Sequence, residues 1–225
     1  MEDIRLIDIK EQILSDNLGL ADGLRQKLSR QKTFFLNVMG SPGTGKTSFI
    51  IKTIENMAER YRIAVVEADI DSLVDSRKVA ALGIPTVQIR TGGFCHVDAS
   101  MVEKAIESLP LEKLDLFILE NVGNLVCPAE VDTGAFKNVV LLSIPEGDDK
   151  PLKYPLIFSV SDVLVINKLD YLEIAEFDLK LLRERVQTLN QAIPIFPLSC
   201  KTSLGFENWV DWLEQEMLNF QKDPK

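Results

Sequence analysis

The chain has 225 residues, a formal net charge of -9 and 46% hydrophobic content. That length supports one large α/β core, the absence of a run of about 18 apolar residues argues against a membrane span, and the acidic balance disfavours nucleic acid, whose phosphates call for a basic surface. Three cysteines behind a Met1-Glu2-Asp3 start with neither a basic nor an apolar leader read as reduced thiols of a cytoplasmic protein.

In residues 1–32, Ile9, Ile13, Leu20, Leu24 and Leu28 recur near helical spacing, with Asn17 and Gly19 marking a break. This segment is expected to pack as helix on the domain that follows, at 33–221, ahead of a frayed tail at 222–225. Strands are predicted at 34–39, 63–67, 86–90, 114–119, 139–144, 163–167 and 195–198, and helices at 47–60, 77–82, 99–108, 172–189 and 205–220. Alternation of this kind predicts an α/β fold, a three-layer P-loop NTPase with a mostly parallel sheet of about seven strands flanked by helices.

The first predicted strand runs into Gly40-Ser41-Pro42-Gly43-Thr44-Gly45-Lys46-Thr47, which meets every fixed position of the G-x-x-x-x-G-K-S/T phosphate loop. Glycines let backbone N–H groups turn in around a phosphate, and the helix start adds partial positive charge. Lys46 neutralises outer phosphates and Thr47 offers a hydroxyl to Mg²⁺. Residues Gly40, Ser41, Pro42, Gly43, Thr44, Gly45, Lys46, Thr47 and Ser48 are therefore the predicted triphosphate contacts. The strand at 163–167 delivers Asn167-Lys168-Leu169-Asp170, an N-K-x-D tetrapeptide, at its carboxyl end, where ligands of parallel sheets bind. The Asp170 carboxylate only accepts, which suits the N1–H and N2 amine of guanine and opposes adenine. Ser199-Cys200-Lys201, after the last strand, resembles the S-A-K loop of GTP-binding proteins. GTP with Mg²⁺ is the predicted cofactor.

Cys95 and His96, the sole histidine, follow a predicted strand, and Cys127 follows another in Glu120-Asn121-Val122-Gly123-Asn124-Leu125-Val126-Cys127-Pro128. Thiolate and imidazole suit Ni²⁺ or Zn²⁺, and three ligands leave one position of a tetrahedral site open, for a metal in transit or a second subunit. The residues alone leave a second role open, with the thiols as small packing groups and His96 as a loop hydrogen-bonder.

Thr91-Gly92-Gly93-Phe94-Cys95-His96-Val97-Asp98-Ala99, the Glu120–Pro128 stretch and Glu146-Gly147-Asp148-Asp149-Lys150-Pro151-Leu152-Lys153-Tyr154-Pro155 together resemble the HypB family of SIMIBI-class GTPases, which help insert nickel into nickel–iron hydrogenase. The related UreG family of urease nickel GTPases shares the Glu120–Pro128 stretch but typically carries a Cys-Pro-His motif, so contiguous Cys95-His96 favours HypB. The resemblance implies Cys95, His96 and Cys127 as nickel or zinc ligands at a nucleotide-dependent homodimer interface. It implies a HypA-type nickel accessory protein and the hydrogenase large-subunit precursor as partners, to which the charge and hydropathy above add no nucleic acid and no membrane. It also implies Thr47, Asp69, Asp75 and Glu120 around Mg²⁺, Asp71 staying open, and catalytic roles for Lys46, Asp75 and Glu120. Lys153 is either a residue that reaches a neighbouring subunit's nucleotide or a solvated surface lysine. Two departures from the family pattern bear on activity. Met1 to Lys32 holds no Cys or His, so nickel storage is not expected, and Asn124 follows Gly123 where a water-orienting Gln stands in ordinary GTPases, so hydrolysis should be slow. A kinase, or a GTP switch for a non-nickel enzyme, are the competing readings; guanine preference and metal binding separate them.

Overall fold

The computed structural model describes residues 9–69, 74–109 and 114–222. Strand β1 (Phe34–Gly40) is buried at every position, as expected of a strand covered on both faces rather than one that alternates. It is followed by α2 (Lys46–Met57), after the opening helix α1 (Ile9–Gln31). Then come β2 (Ile63–Asp69), α3 (Val74–Ala80), β3 (Thr86–Arg90), α4 (Ala99–Ile106), β4 (Leu116–Glu120), α5 (Cys127–Glu130) and β5 (Lys137–Ser143). The chain ends through α6 (Lys150–Lys153), α7 (Pro155–Val160), β6 (Val163–Asn167), α8 (Leu179–Leu189), β7 (Ile195–Pro197) and α9 (Phe206–Lys222).

The seven strands form one sheet in the order β3-β2-β4-β1-β5-β6-β7, and every pairing is parallel. β1 is the point at which the order turns, with β2 to β4 on one side and β5 to β7 on the other, so the crevice at its carboxyl end is where a ligand belongs. Successive residues of β1 face opposite layers. Phe34, Leu36 and Val38 join the core under α2 and α9, while Phe35 packs with Leu24 and Leu28 of α1 and with Val102 and Ile106 of α4. Met39 turns to a third cluster with Ile157, Phe158, Leu182 and Val186. Trp209 of α9, fully buried, donates from Nε1 to Thr53 Oγ1 of α2 at 3.0 Å, which fixes these two helices against each other. Among the described residues no helix is long and apolar enough to cross a membrane.

Four expectations are corrected. α1 runs unbroken through Asn17 and Gly19, because the Asn17 amide is engaged away from its own backbone: Nδ2 donates to Asp132 O at 2.7 Å and Oδ1 accepts from Ala99 N–H at 2.9 Å. The helix expected from Leu172 begins at Leu179 instead, since the Asp178 side chain accepts from Lys180 and Leu181 N–H (2.8 and 3.0 Å) and caps it there. The short helices α5, α6 and α7 were not anticipated; each has proline in its first turn, where the missing N–H does no harm. α9 continues through Lys222, past the expected domain end, while Asp223–Lys225 and Asp71 lie outside the described residues.

Asn17 thus joins α1 to α4 and to the segment before β5. Replacing it with alanine would strand two main-chain groups, so Asn17→Ala is expected to destabilise the protein by about 1–3 kcal/mol. Leu18→Ala, at a side chain 54% exposed, should change stability by less than about 0.5 kcal/mol, and urea unfolding followed by circular dichroism compares the two.

Candidate functional site

The phosphate loop turns on Gly45, which caps α2 with φ 94°. A Cβ there would lie 2.6 Å from Asn167 Nδ2, so the residue must be glycine for space as well as for conformation. Lys46 is buried and its ammonium curls over the loop, donating to Gly40 O and Ser41 O at 3.3 Å each. Burial holds its pKa below the ordinary lysine value, although Glu120, Glu146, Glu67 and Asp75 all pull it up. A cavity of about 370 Å³ opens here, walled by Pro42, Gly43, Gly45, Lys46, Thr47 and Ser48 on one side and Asp69, Asp75, Glu120 and Gly123 on the other. Gly40, Ser41 and Thr44 do not wall it. They shape the loop from behind, with Thr44 Oγ1 donating to Ser41 O at 3.1 Å.

A second cavity of about 260 Å³ shares Gly45 and Ser48 with the first and is lined by Asn167, Lys168, Asp170, Tyr171, Cys200 and Lys201. Asn167 is the tie at its base. Nδ2 donates to Thr44 O (2.9 Å), and Oδ1 accepts from Lys168 N–H (2.7 Å) and Cys200 N–H (3.3 Å). Lys168 Nζ donates to Gly43 O at 2.7 Å, bracing the phosphate loop from outside. Ser199 is fully buried and acts through Asp170, donating from Oγ to Oδ1 at 2.6 Å, which orients that exposed carboxylate toward the cavity. The Cys200 thiol is pushed up to about 12 by burial.

Cys95, His96 and Cys127 come together as well. One ligand atom from each lies within 4.8 Å of the others, half-buried, a span that bonds of about 2.0–2.3 Å to one ion can bridge. Cys95 and His96 sit on the loop after β3, which Thr91 closes by accepting from Phe94 N–H (3.2 Å) and donating from Oγ1 to Phe94 O (2.8 Å). Cys127 opens α5, and Asn124 Nδ2 donates to its sulfur at 3.5 Å. The Cys127 pKa is raised, first by its hydrogen bond with Cys95 and then by burial.

Glu120 has a buried neighbour, Glu67, that no sequence motif marks. β2 and β4 pair with Glu67 opposite Glu120, so both carboxyls are buried side by side. Thr47 Oγ1 donates to Glu120 Oε1 at 3.0 Å, and Glu120 Oε2 finds no donor among the described residues. A neutral Glu67 donating to Glu120 resolves this, and burial with the Glu120 charge beside it lifts the Glu67 pKa far above the usual carboxylate range. Glu120 is also raised, first by burial. The hydroxyl of Thr47 and the carboxylates of Glu120, Asp69 and Asp75 line one cavity as an all-oxygen set, a donor chemistry that fits Mg²⁺. The pattern that could have marked Glu67 is the buried acid at equal depth on two adjacent strands. A raised folded pKa contributes stability that is complete at low pH and lost as pH rises toward the raised value. In Mg²⁺-free buffer, melting temperatures of the parent should therefore fall relative to Glu67→Gln between pH 6 and 9, and parallel curves would contradict the shared proton.

The chain matches the CobW/HypB/UreG nucleotide-binding domain family over residues 34–197. It is 36% identical over 216 residues to the hydrogenase maturation factor HypB of Escherichia coli K12, spanning 96% of this chain and 74% of that protein. It is 40% identical over 222 residues to the hydrogenase/urease maturation factor HypB of Helicobacter pylori J99, spanning 96% and 90%. The solved structure of Helicobacter pylori HypB in complex with nickel superposes with a TM-score of 0.86 at 37% identity, covering 91% of this chain and 96% of that one. With its phosphate loop, its all-parallel seven-stranded sheet and these relatives, the chain belongs to the HypB group of the CobW/HypB/UreG family of nucleotide-binding proteins.

Proposed function

We propose that this protein is a cytoplasmic GTPase that delivers nickel during hydrogenase maturation, with GTP binding and hydrolysis coupled to metal affinity. One observation carries the reading: two adjoining cavities, at the phosphate loop and at the N-K-x-D turn, and a two-thiol, one-imidazole cluster open on the same edge of one sheet, joined by the loop after β4. The Helicobacter pylori relative crystallised with nickel supports the choice of metal, and Zn²⁺ suits the same donors.

In this reading the phosphates of GTP lie over the loop at Gly43 to Ser48, drawing the Lys46 ammonium from Gly40 O and Ser41 O. Thr47, Glu120, Asp69 and Asp75 hold Mg²⁺, which neutralises phosphate charge when bound. Lys46, Asp75 and Glu120 organise the reacting end. Asn124, in place of a water-orienting glutamine, keeps intrinsic hydrolysis slow. Cargo nickel takes Cys95, His96 and Cys127, leaving a fourth position for transfer. A nucleotide-dependent homodimer, a HypA-type accessory protein and the hydrogenase large-subunit precursor are the partners, with Lys153 a candidate for reaching across to a second subunit's nucleotide. In this chain Lys153 is exposed and pairs with Asp149 at 2.5 Å.

Guanine selectivity tests the nucleotide half. Asp170→Asn turns an acceptor into a donor, and loss of the charge-assisted pair should weaken GTP binding by about 1.5–3 kcal/mol while improving xanthosine triphosphate. Equal GTP and ATP dissociation constants in the parent would refute guanine recognition.

The cysteines test the metal half. Cys127→Ala should weaken Ni²⁺ binding sharply and spare GTP, whereas Cys200→Ala, whose thiol packs against the core under α9, should bind Ni²⁺ like the parent. Calorimetric titration in which Cys127→Ala and Cys200→Ala both bind Ni²⁺ as well as the parent would make these thiols packing groups.

A further inference from the structure

The connection from β4 to α5 touches both sites with the same few residues. Toward the phosphate loop, the Asn121 N–H donates to Val38 O at 3.0 Å and the Asn124 N–H donates to Gly40 O at 3.1 Å. Gly123 sits so close to Pro42 that an added Cβ would meet Pro42 Cγ at 2.9 Å and its Cα and N at 3.1 Å. Toward the cluster, the Asn124 side chain is used at both ends: Nδ2 donates to Cys127 Sγ at 3.5 Å and Oδ1 accepts from Val126 N–H at 2.7 Å. Asn121 Oδ1 accepts from Val97 N–H, next to His96, at 3.3 Å, and Asn121 Nδ2 is anchored on Asn37 of β1 at 3.2 Å.

Gly40 O is the junction. It accepts from the Asn124 main chain and from Lys46 Nζ, the group that an anion in the phosphate cavity competes for. Occupying the cavity therefore changes the load on a carbonyl two bonds of contact away from the Cys127 sulfur. On the other side of the cluster, the Thr91 N–H donates to Asp69 O at 3.1 Å, a main-chain bond between β2 and the loop that carries Cys95 and His96.

Resting on the coupled reading of the preceding section, we infer that Asn124 is the positioning residue that transmits phosphate-loop occupancy to the metal cluster, its main chain bound to Gly40 and its side chain setting the Cys127 sulfur. A water-orienting residue at this position would point into the phosphate cavity. Asn124 is not among the residues that wall that cavity, and its amide is committed to Cys127 and Val126.

The experiment measures coupling rather than activity. Ni²⁺ is titrated into the full chain loaded with Mg²⁺ and either GDP or a non-hydrolysable GTP analogue, and the ratio of the two Ni²⁺ dissociation constants is the coupling factor. By linkage the same factor must appear in nucleotide affinity with and without Ni²⁺. The parent is expected to show a factor of at least about fivefold, and Asn124→Ala a factor within about twofold of unity while its metal-free nucleotide affinity stays within about twofold of the parent. Asn124→Asp keeps the acceptor for Val126 N–H but removes the donor to sulfur, so it should lose coupling too, and it serves if Asn124→Ala does not fold. Asn190→Ala removes an amide clamp of similar kind, Nδ2 to Ser161 O at 3.0 Å, just past the end of α8, and should leave the factor intact. Coupling retained in the Asn124 variants, or lost equally in Asn190→Ala, overturns the assignment while leaving the proposed function standing. A parent that binds both ligands with a factor of one overturns the coupled reading itself.

Discussion

The amide of Asn167 fills the space that any side chain at position 45 would need, and the nucleotide side of this protein depends on that contact. With Gly45 bare, Nδ2 reaches Thr44 O while Oδ1 gathers the N–H groups of Lys168 and Cys200, so three loops from β1, β6 and β7 share one buried group. Loops at a sheet edge carry main-chain polar groups that no ladder satisfies, and a buried amide with two donors and two acceptor sites is an economical way to answer several at once. The shape of the phosphate loop is thereby tied to the loops after β6 and β7.

Electrostatics at this edge are arranged around a single buried cation. Lys46 faces Glu120, Glu146, Glu67 and Asp75, yet burial still lowers its pKa, so desolvation outweighs four attractive partners. The acids answer differently. Glu67 and Glu120, forced opposite each other by the β2–β4 register, are both raised, and Glu67 holds the proton they share. A divalent cation at the Glu120 carboxylate would reverse the reason for that proton, since added positive charge favours the ionised pair.

Most of the fold was legible because the signals were local. Seven apolar runs at regular spacing give seven strands, and a buried parallel strand is the simplest pattern to read. The phosphate loop and N-K-x-D turn were legible as loops at the carboxyl edge of the sheet for a related reason, since each is contiguous in sequence. What escaped depends on contacts far apart in sequence. The α1 break failed because Asn17 bonds to Ala99 and Asp132, more than 80 residues away, instead of to its own helix. The start of α8 failed because a helical period continues through Leu172 to Phe177 although Asp178 supplies the cap. Glu67 escaped as a site residue because its role exists only through strand register with Glu120.

The three cysteines show why residue type alone does not define a metal site. Cys95 and Cys127 are half-buried and face each other and His96, so an arriving cation meets three donors within 4.8 Å and can displace thiol protons into nearby solvent. Cys200 lies on the same edge of the sheet but packs against the apolar layer under α9, and burial pushes its thiol up to about 12. A metal at Cys200 would have to ionise a sulfur that its surroundings keep protonated, with no second thiol or imidazole from that cluster to share the charge. The same amino acid therefore takes two roles on one face of the molecule, and what separates them is the number of donors in reach and the access of water to the proton that must leave.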